Sequence, residues 1–238
     1  GQDVWRSFGG MEVGSIWGHG AYVAPDWTAD WLHRESTALL DLWARREHDG
    51  RAFAELPDGS QAELRKRLLG EMRNNRYDPA TDTLTVSADR AAAMASVAAH
   101  YEKLFGTDPA LTELRVHYAM RNGTIDTAEH RARFSNFIFW TAWAAATNRP
   151  GAEISYTSNW PAEELVGNHP TPGTFLWTVF SVLFMLAGIG ALTWYYVAQH
   201  GREPEAVPPA SDPLRSLVLT PSMRATAKYF WVVIALFL

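Results

Sequence analysis

Apolar and polar positions along the chain fall into two regimes. Up to about residue 170 they alternate at helical spacing. Asp26 is suited to cap a helix running to about His48, with Trp31, Leu39, Leu42 and Trp43 available for its inner face. Ser60-x-x-Glu63 has the capping-box pattern and predicts a second helix to about Asn74, with Leu64, Leu68 and Met72 four residues apart. Ser87 predicts the start of an Ala-rich helix to about Phe105, ended by Gly106. Asp126 or Thr127 starts a fourth, through Phe134, Phe137, Ile138 and Trp140 to about Thr147, ahead of Pro150. Thr83 to Val86 reads as a short strand.

The second regime is continuous apolarity. Thr174 to Val197, TFLWTVFSVLFMLAGIGALTWYYV, carries no charge. At helical rise it reaches about 36 Å, enough to cross a hydrocarbon core of about 30 Å. Phe175 and Trp177 stand at one end, and Trp194, Tyr195 and Tyr196 at the other, as in an interfacial belt. Ala187, Gly188, Gly190 and Ala191 form a small-residue face for a neighbouring helix. A loop over 198–226 follows, proline-rich in EPEAVPPASDP, and 227–238 reads as the start of another span. Arg202, Arg215, Arg224 and Lys228 lie in or beside this loop, which places it on the cytoplasmic side and residues 1–170 outside. Because the chain opens on Gly1 and ends inside an apolar run, it is expected to be part of a longer polypeptide.

Composition narrows the choices. Of 238 residues, 47% are apolar and 20% charged, which excludes both disorder and a wholly polytopic chain. Residues 1–170 hold 17 of the 21 basic and 23 of the 26 acidic side chains, so the front part is a water-facing domain. The net charge is −5 and no basic stretch suggests nucleic-acid binding. Zero Cys excludes disulfides, thiolate-ligated metal and covalent haem attachment through Cys-x-x-Cys-His.

Candidate chemistry is sparse. Gly14 to Asp30, GSIWGHGAYVAPDWTAD, is a glycine-rich loop leading into a helix cap. No histidine pair has HExxH spacing, and no P-loop, dinucleotide or nucleophile-elbow motif occurs. His19 lies in the glycine motif; His33, His48, His100 and His130 fall on helices, and His200 follows the aromatic belt. No histidine lies within the apolar span. Glu153, Glu163 and Glu164 read as solvated surface, or as part of a quinol or proton path.

The stretch GSIWGHGAYVAPDWTADWLHRE resembles the start of the extracytoplasmic domain of quinol-dependent nitric oxide reductases. SYTSNWPAEELVGN, Ser155 to Asn168, and PSMRATAKYFWVVIALFL are similar to later parts of the same family, so the resemblance follows the chain in order. It implies a mainly α chain: a cytochrome c-like extracytoplasmic domain over 1–170, a transmembrane helix over 174–197, and the beginning of a haem–copper-oxidase-type core. In the cytochrome-fed relatives a haem-attachment motif precedes a GAYFAPEL-like stretch, which Gly20 to Asp26 resembles. The motif's positions then fall on Gly10, Met11, Glu12, Val13 and Gly14, with neither thiol nor haem-binding His. The resemblance therefore implies a domain without haem c, in an enzyme fed by membrane quinol.

The family further implies haem b and non-haem iron, held by helices beyond Leu238. It implies a calcium ion at the junction of domain and core, with the Gly20 carbonyl and the Tyr22 hydroxyl among its ligands. The implied partners are lipid, quinol and the remainder of the same polypeptide, in the inner membrane, with homodimer formation left open. Under this reading residues 1–238 alone are inactive and the domain caps the haem-bearing core. Two other readings remain: a membrane-anchored extracytoplasmic sensor without activity, and a relative of the oxygen-reducing haem–copper oxidases.

Overall fold

A computed structural model describes residues 1–169, 172–200 and 220–237. Most of the proline-rich loop expected over 198–226 lies outside the described residues. Two compact units are separable, Gly1–Thr178 and Val179–Leu238.

The first unit is helical. Its elements are α1 (Gln2–Ser7), a hairpin of β1 (Ser15–Ile16) and β2 (His19–Gly20), α2 (Trp27–Glu47), α3 (Asp58–Arg73), a hairpin of β3 (Tyr77–Asp78) and β4 (Thr83–Leu84), α4 (Ala88–Phe105), α5 (Thr112–His117) and α6 (Ala128–Ala146). Short 3-10 turns cover Gly10–Glu12, Phe53–Glu55, Pro109–Leu111 and Glu164–Val166. α7 (Pro172–His200) begins in this unit, and α8 (Pro221–Phe237) lies in the second.

Three of the four expected helix starts sit where the side-chain chemistry placed them. Asp26 accepts from the Thr28 and Ala29 amides, Ser87 from Arg90 and Thr127 from His130. The capping box at Ser60 is not used. α3 starts at Asp58, and its first turn is closed by the Gln61 amide donating to the Pro57 carbonyl, so Ser60 lies inside the helix. Pro57 presets the backbone ahead of the helix without a side-chain cap.

α2, α4 and α6 pack on one another and enclose the core. Trp27, Leu32, Leu39, Tyr101, Leu104, Phe105 and Ile138 are all buried there. Leu42, expected on the inner face of α2, is only half-buried. α2 instead turns Glu35 and Ser36 inward. Glu35 is matched by Arg90 of α4, with Nε donating to Oε1 at 2.7 Å, and by the Trp31 indole donating to Oε2 at 2.8 Å. Such a buried pair costs desolvation and is kept only with partners of this quality.

Thr83–Leu84 forms the expected strand, pairing antiparallel with Tyr77–Asp78. α7 contains the apolar stretch Phe175–Gln199, mean hydropathy 2.2, none of it buried. It is the one helix among the described residues long and apolar enough to cross a membrane. α8 extends back to Pro221, further than the expected start at 227.

Candidate functional site

The glycine-rich loop is built around Asp26. While Oδ1 caps α2, Oδ2 accepts from Ser15 Oγ at 2.9 Å and from the Gly18 amide at 2.6 Å. One carboxylate thus fixes the hairpin and the helix together. Trp17 and Gly18 form the two-residue turn, both at positive φ (53° and 81°), the requirement of a type I′ turn. Trp17 bears this conformation with its indole N–H donating to Thr141 O on α6 at 3.0 Å.

Behind the loop the volume is filled. A Cβ on Gly10 would overlap the Trp5 indole. A Cβ on Gly14 would come within 2.5 Å of Pro25 O and 2.6 Å of Trp27 Nε1, and Gly14 sits at φ +84°. The Trp27 indole donates to Val13 O at 2.6 Å and packs edge-on against Phe105 and Tyr101. Trp5 stacks on Phe134, which meets Phe105 at 4.6 Å between ring centroids. The positions matching a first attachment thiol and an axial histidine are therefore those where no side chain fits. With no Cys in the chain, no thiol is available there for covalent haem attachment.

The two expected calcium ligands lie at the loop's outer end. Gly20 has φ +143°, and a Cβ there would overlap Gly14 O. Tyr22 is 90% exposed. Calcium takes six to eight oxygens. The nearby Asp26 carboxylate is already engaged by four donors, and no cluster of three His, Asp or Glu that could hold a metal occurs among the described residues. Gly20 and Tyr22 do not by themselves make a calcium shell.

A second polar centre has no signature in the sequence. Arg73, at the end of α3, donates through Nε to Val166 O, through Nη1 to Asn148 Oδ1 and Asn159 Oδ1, and through Nη2 to Gly167 O and Asn168 Oδ1. None of these acceptors is a carboxylate, and burial lowers the Arg73 pKa. Asn168 also donates to Ala145 O and Pro161 O. Ser155 to Asn168 is thereby folded back on α3 and α6, just ahead of α7. The acceptors lie 75 to 95 residues from Arg73, so no local pattern announces them.

The remaining candidates do not converge. His19 and His130 are exposed, and His33 pairs with Glu163 at 3.1 Å. His48 is half-buried beyond α2. The side chain of His200 lies outside the described residues. His100 has a buried Nε2 without a partner among the described residues, and burial, then Arg34, lowers its pKa. Glu153 and Glu164 are exposed, while Glu163 caps the 3-10 turn before Gly167.

A family model for the NorB cytochrome c-like domain of nitric oxide reductase matches residues 1–162. The chain belongs to this family. The match covers the whole hairpin loop and the four long helices of the first unit. No curated protein matches the chain. As a NorB-type nitric oxide reductase chain bearing an exposed apolar helix, it is a membrane protein. Its cytochrome c-like domain is mainly helical, with an aromatic cluster behind the glycine-rich loop.

Proposed function

We propose that this chain is the N-terminal portion of a quinol-dependent nitric oxide reductase, in which the full polypeptide converts two NO and one quinol to N2O, water and quinone. The observation that carries the reading is the sealed loop. Glycine at positions 10 and 14 pressed against Trp5, Pro25 and Trp27, in a chain without Cys, supports a domain that lacks the haem which would receive electrons from a soluble cytochrome. Electrons must then enter elsewhere, and a membrane quinol is the donor consistent with a chain that carries its own apolar span.

Haem b and non-haem iron would supply the electron transfer and NO chemistry, from helices following this segment. The residues of this chain cap that machinery on the extracytoplasmic side. The domain excludes water from the face it covers, and lowered polarity around a haem shifts its potential without ligation. Gly20 and Tyr22 would contribute two oxygens to a calcium ion at that junction. Replacing Tyr22 with Phe in the full-length enzyme is expected to lower bound calcium, measured by atomic absorption. Unchanged metal content removes Tyr22 from the shell.

The donor assignment is tested by NO consumption in the purified full-length enzyme. Turnover with a reduced quinol and none with a reduced soluble cytochrome is expected. The reverse preference would overturn it.

A further inference from the structure

Among the large apolar side chains exposed on the first unit, four aromatic ones lie together. Trp17, Trp140, Tyr156 and Trp160 are 37%, 43%, 40% and 39% exposed, and bonds join them into one face. The Trp17 indole donates to Thr141 O, beside Trp140 on α6, and the Trp160 indole donates to Trp17 O at 3.0 Å. Trp140 packs edge-on against Trp143, which stacks on Tyr156 at 5.5 Å between centroids. The Tyr156 amide donates to Ala144 O on the same helix. A contiguous aromatic patch of this kind on a water-facing domain marks a contact surface.

Its occupant follows from where it lies in the chain. Trp160 immediately precedes Pro161, whose carbonyl accepts from the Asn168 side chain, and Asn168 is clamped by Arg73. Only four residue steps separate Asn168 from Pro172, the first residue of α7. Those steps span at most about 14 Å, so the clamped segment is tied close to the level where the apolar helix begins. Tryptophan and tyrosine, with apolar rings and polar tips, are the residues of the bilayer interface. Arg149 stands beside them. It is exposed, donates to Ser155 O and Tyr156 O, and has no carboxylate within ion-pair distance among the described residues. A guanidinium next to an aromatic face suits a phosphate headgroup. The Arg73 clamp holds the segment in place, so little ordering remains to be done on contact.

We propose that Trp17, Trp140, Tyr156 and Trp160, with Arg149, form an interfacial anchor that rests in the lipid headgroup layer beside the start of α7. This rests on α7 crossing the membrane but not on quinol dependence or on the nature of the enzyme core. The anchor adds a second point of attachment to the covalent one.

The chain has no Cys, so single cysteines report unambiguously. The full-length protein is placed in nanodiscs of phosphatidylcholine and phosphatidylglycerol. Nitroxide labels go at Trp140→Cys and Tyr156→Cys, with Ser96→Cys on α4 as an aqueous reference and Phe180→Cys on α7 as a hydrocarbon reference. Power saturation against oxygen and a water-soluble nickel chelate gives the depth of each label. Positions 140 and 156 are expected to lie between the two references, with chelate accessibility several-fold below that of position 96. Values equal to position 96 would overturn the anchor. So would shielding from oxygen and chelate alike, since protein would then cover the face: the enzyme core or a second copy. An aqueous signal at position 180 would instead show that the membrane assignment of α7 fails, independently of the patch.

Discussion

At Gly14 a positive φ coincides with the close approach of Pro25 O and Trp27 Nε1, so an alanine there has both strain and overlap to relieve. Gly14→Ala is expected to destabilise the domain by about 1–3 kcal/mol, read as a lower thermal midpoint of the detergent-solubilised chain. Gly70, within α3 and with open space around it, is the control. Gly70→Ala is expected to stabilise by about 0.5–1 kcal/mol. Equal behaviour of the two variants would mean that the loop is not packed as described. Asp89 gives the residue-scale pH dependence. The Arg46 guanidinium, then the Trp43 indole, hold its carboxyl down to about 2. A depressed folded-state pKa stabilises above the unfolded value of about 3.9, and that stabilisation is lost as pH falls toward 2. Asp89→Asn should therefore lower stability at neutral pH and flatten the stability profile between pH 4 and 2. An unchanged profile in acid unfolding would remove Asp89 from the account.

At the scale of elements, what was legible in the sequence was local. Asp26, Ser87 and Thr127 cap their helices because a cap is an interaction over two or three residues. Ser60 misled for the same reason: its capping box is well formed, but Pro57 had already set the chain for the helix three residues earlier. The β1–β2 hairpin was hidden because Trp17 replaces the usual Asn or Gly at a positive φ. Its support comes from Thr141 O, 124 residues away. The Arg73 clamp was hidden likewise. Arg73→Gln is expected to raise amide hydrogen exchange across 155–168 at least tenfold while α2 and α4 keep their protection. Uniform loss of protection would show Arg73 to be a general core residue rather than the clamp of this segment.

Across the whole molecule, the family was readable from the order of its motifs, and the match over residues 1–162 agrees with it. The packing behind the glycine-rich loop was not readable. Missing thiols are visible in a sequence, but only packing reveals that Trp5 and Trp27 close the loop against any replacement side chain. The calcium ligands could be named only through the resemblance, because Gly20 and Tyr22 do not by themselves make a shell. The most direct test is to denature the purified full-length polypeptide and examine it for covalently retained porphyrin by peroxidase staining and haemochrome spectrum. The account predicts that all haem is extracted and shows b-type spectra only. Porphyrin still attached to the chain would contradict it.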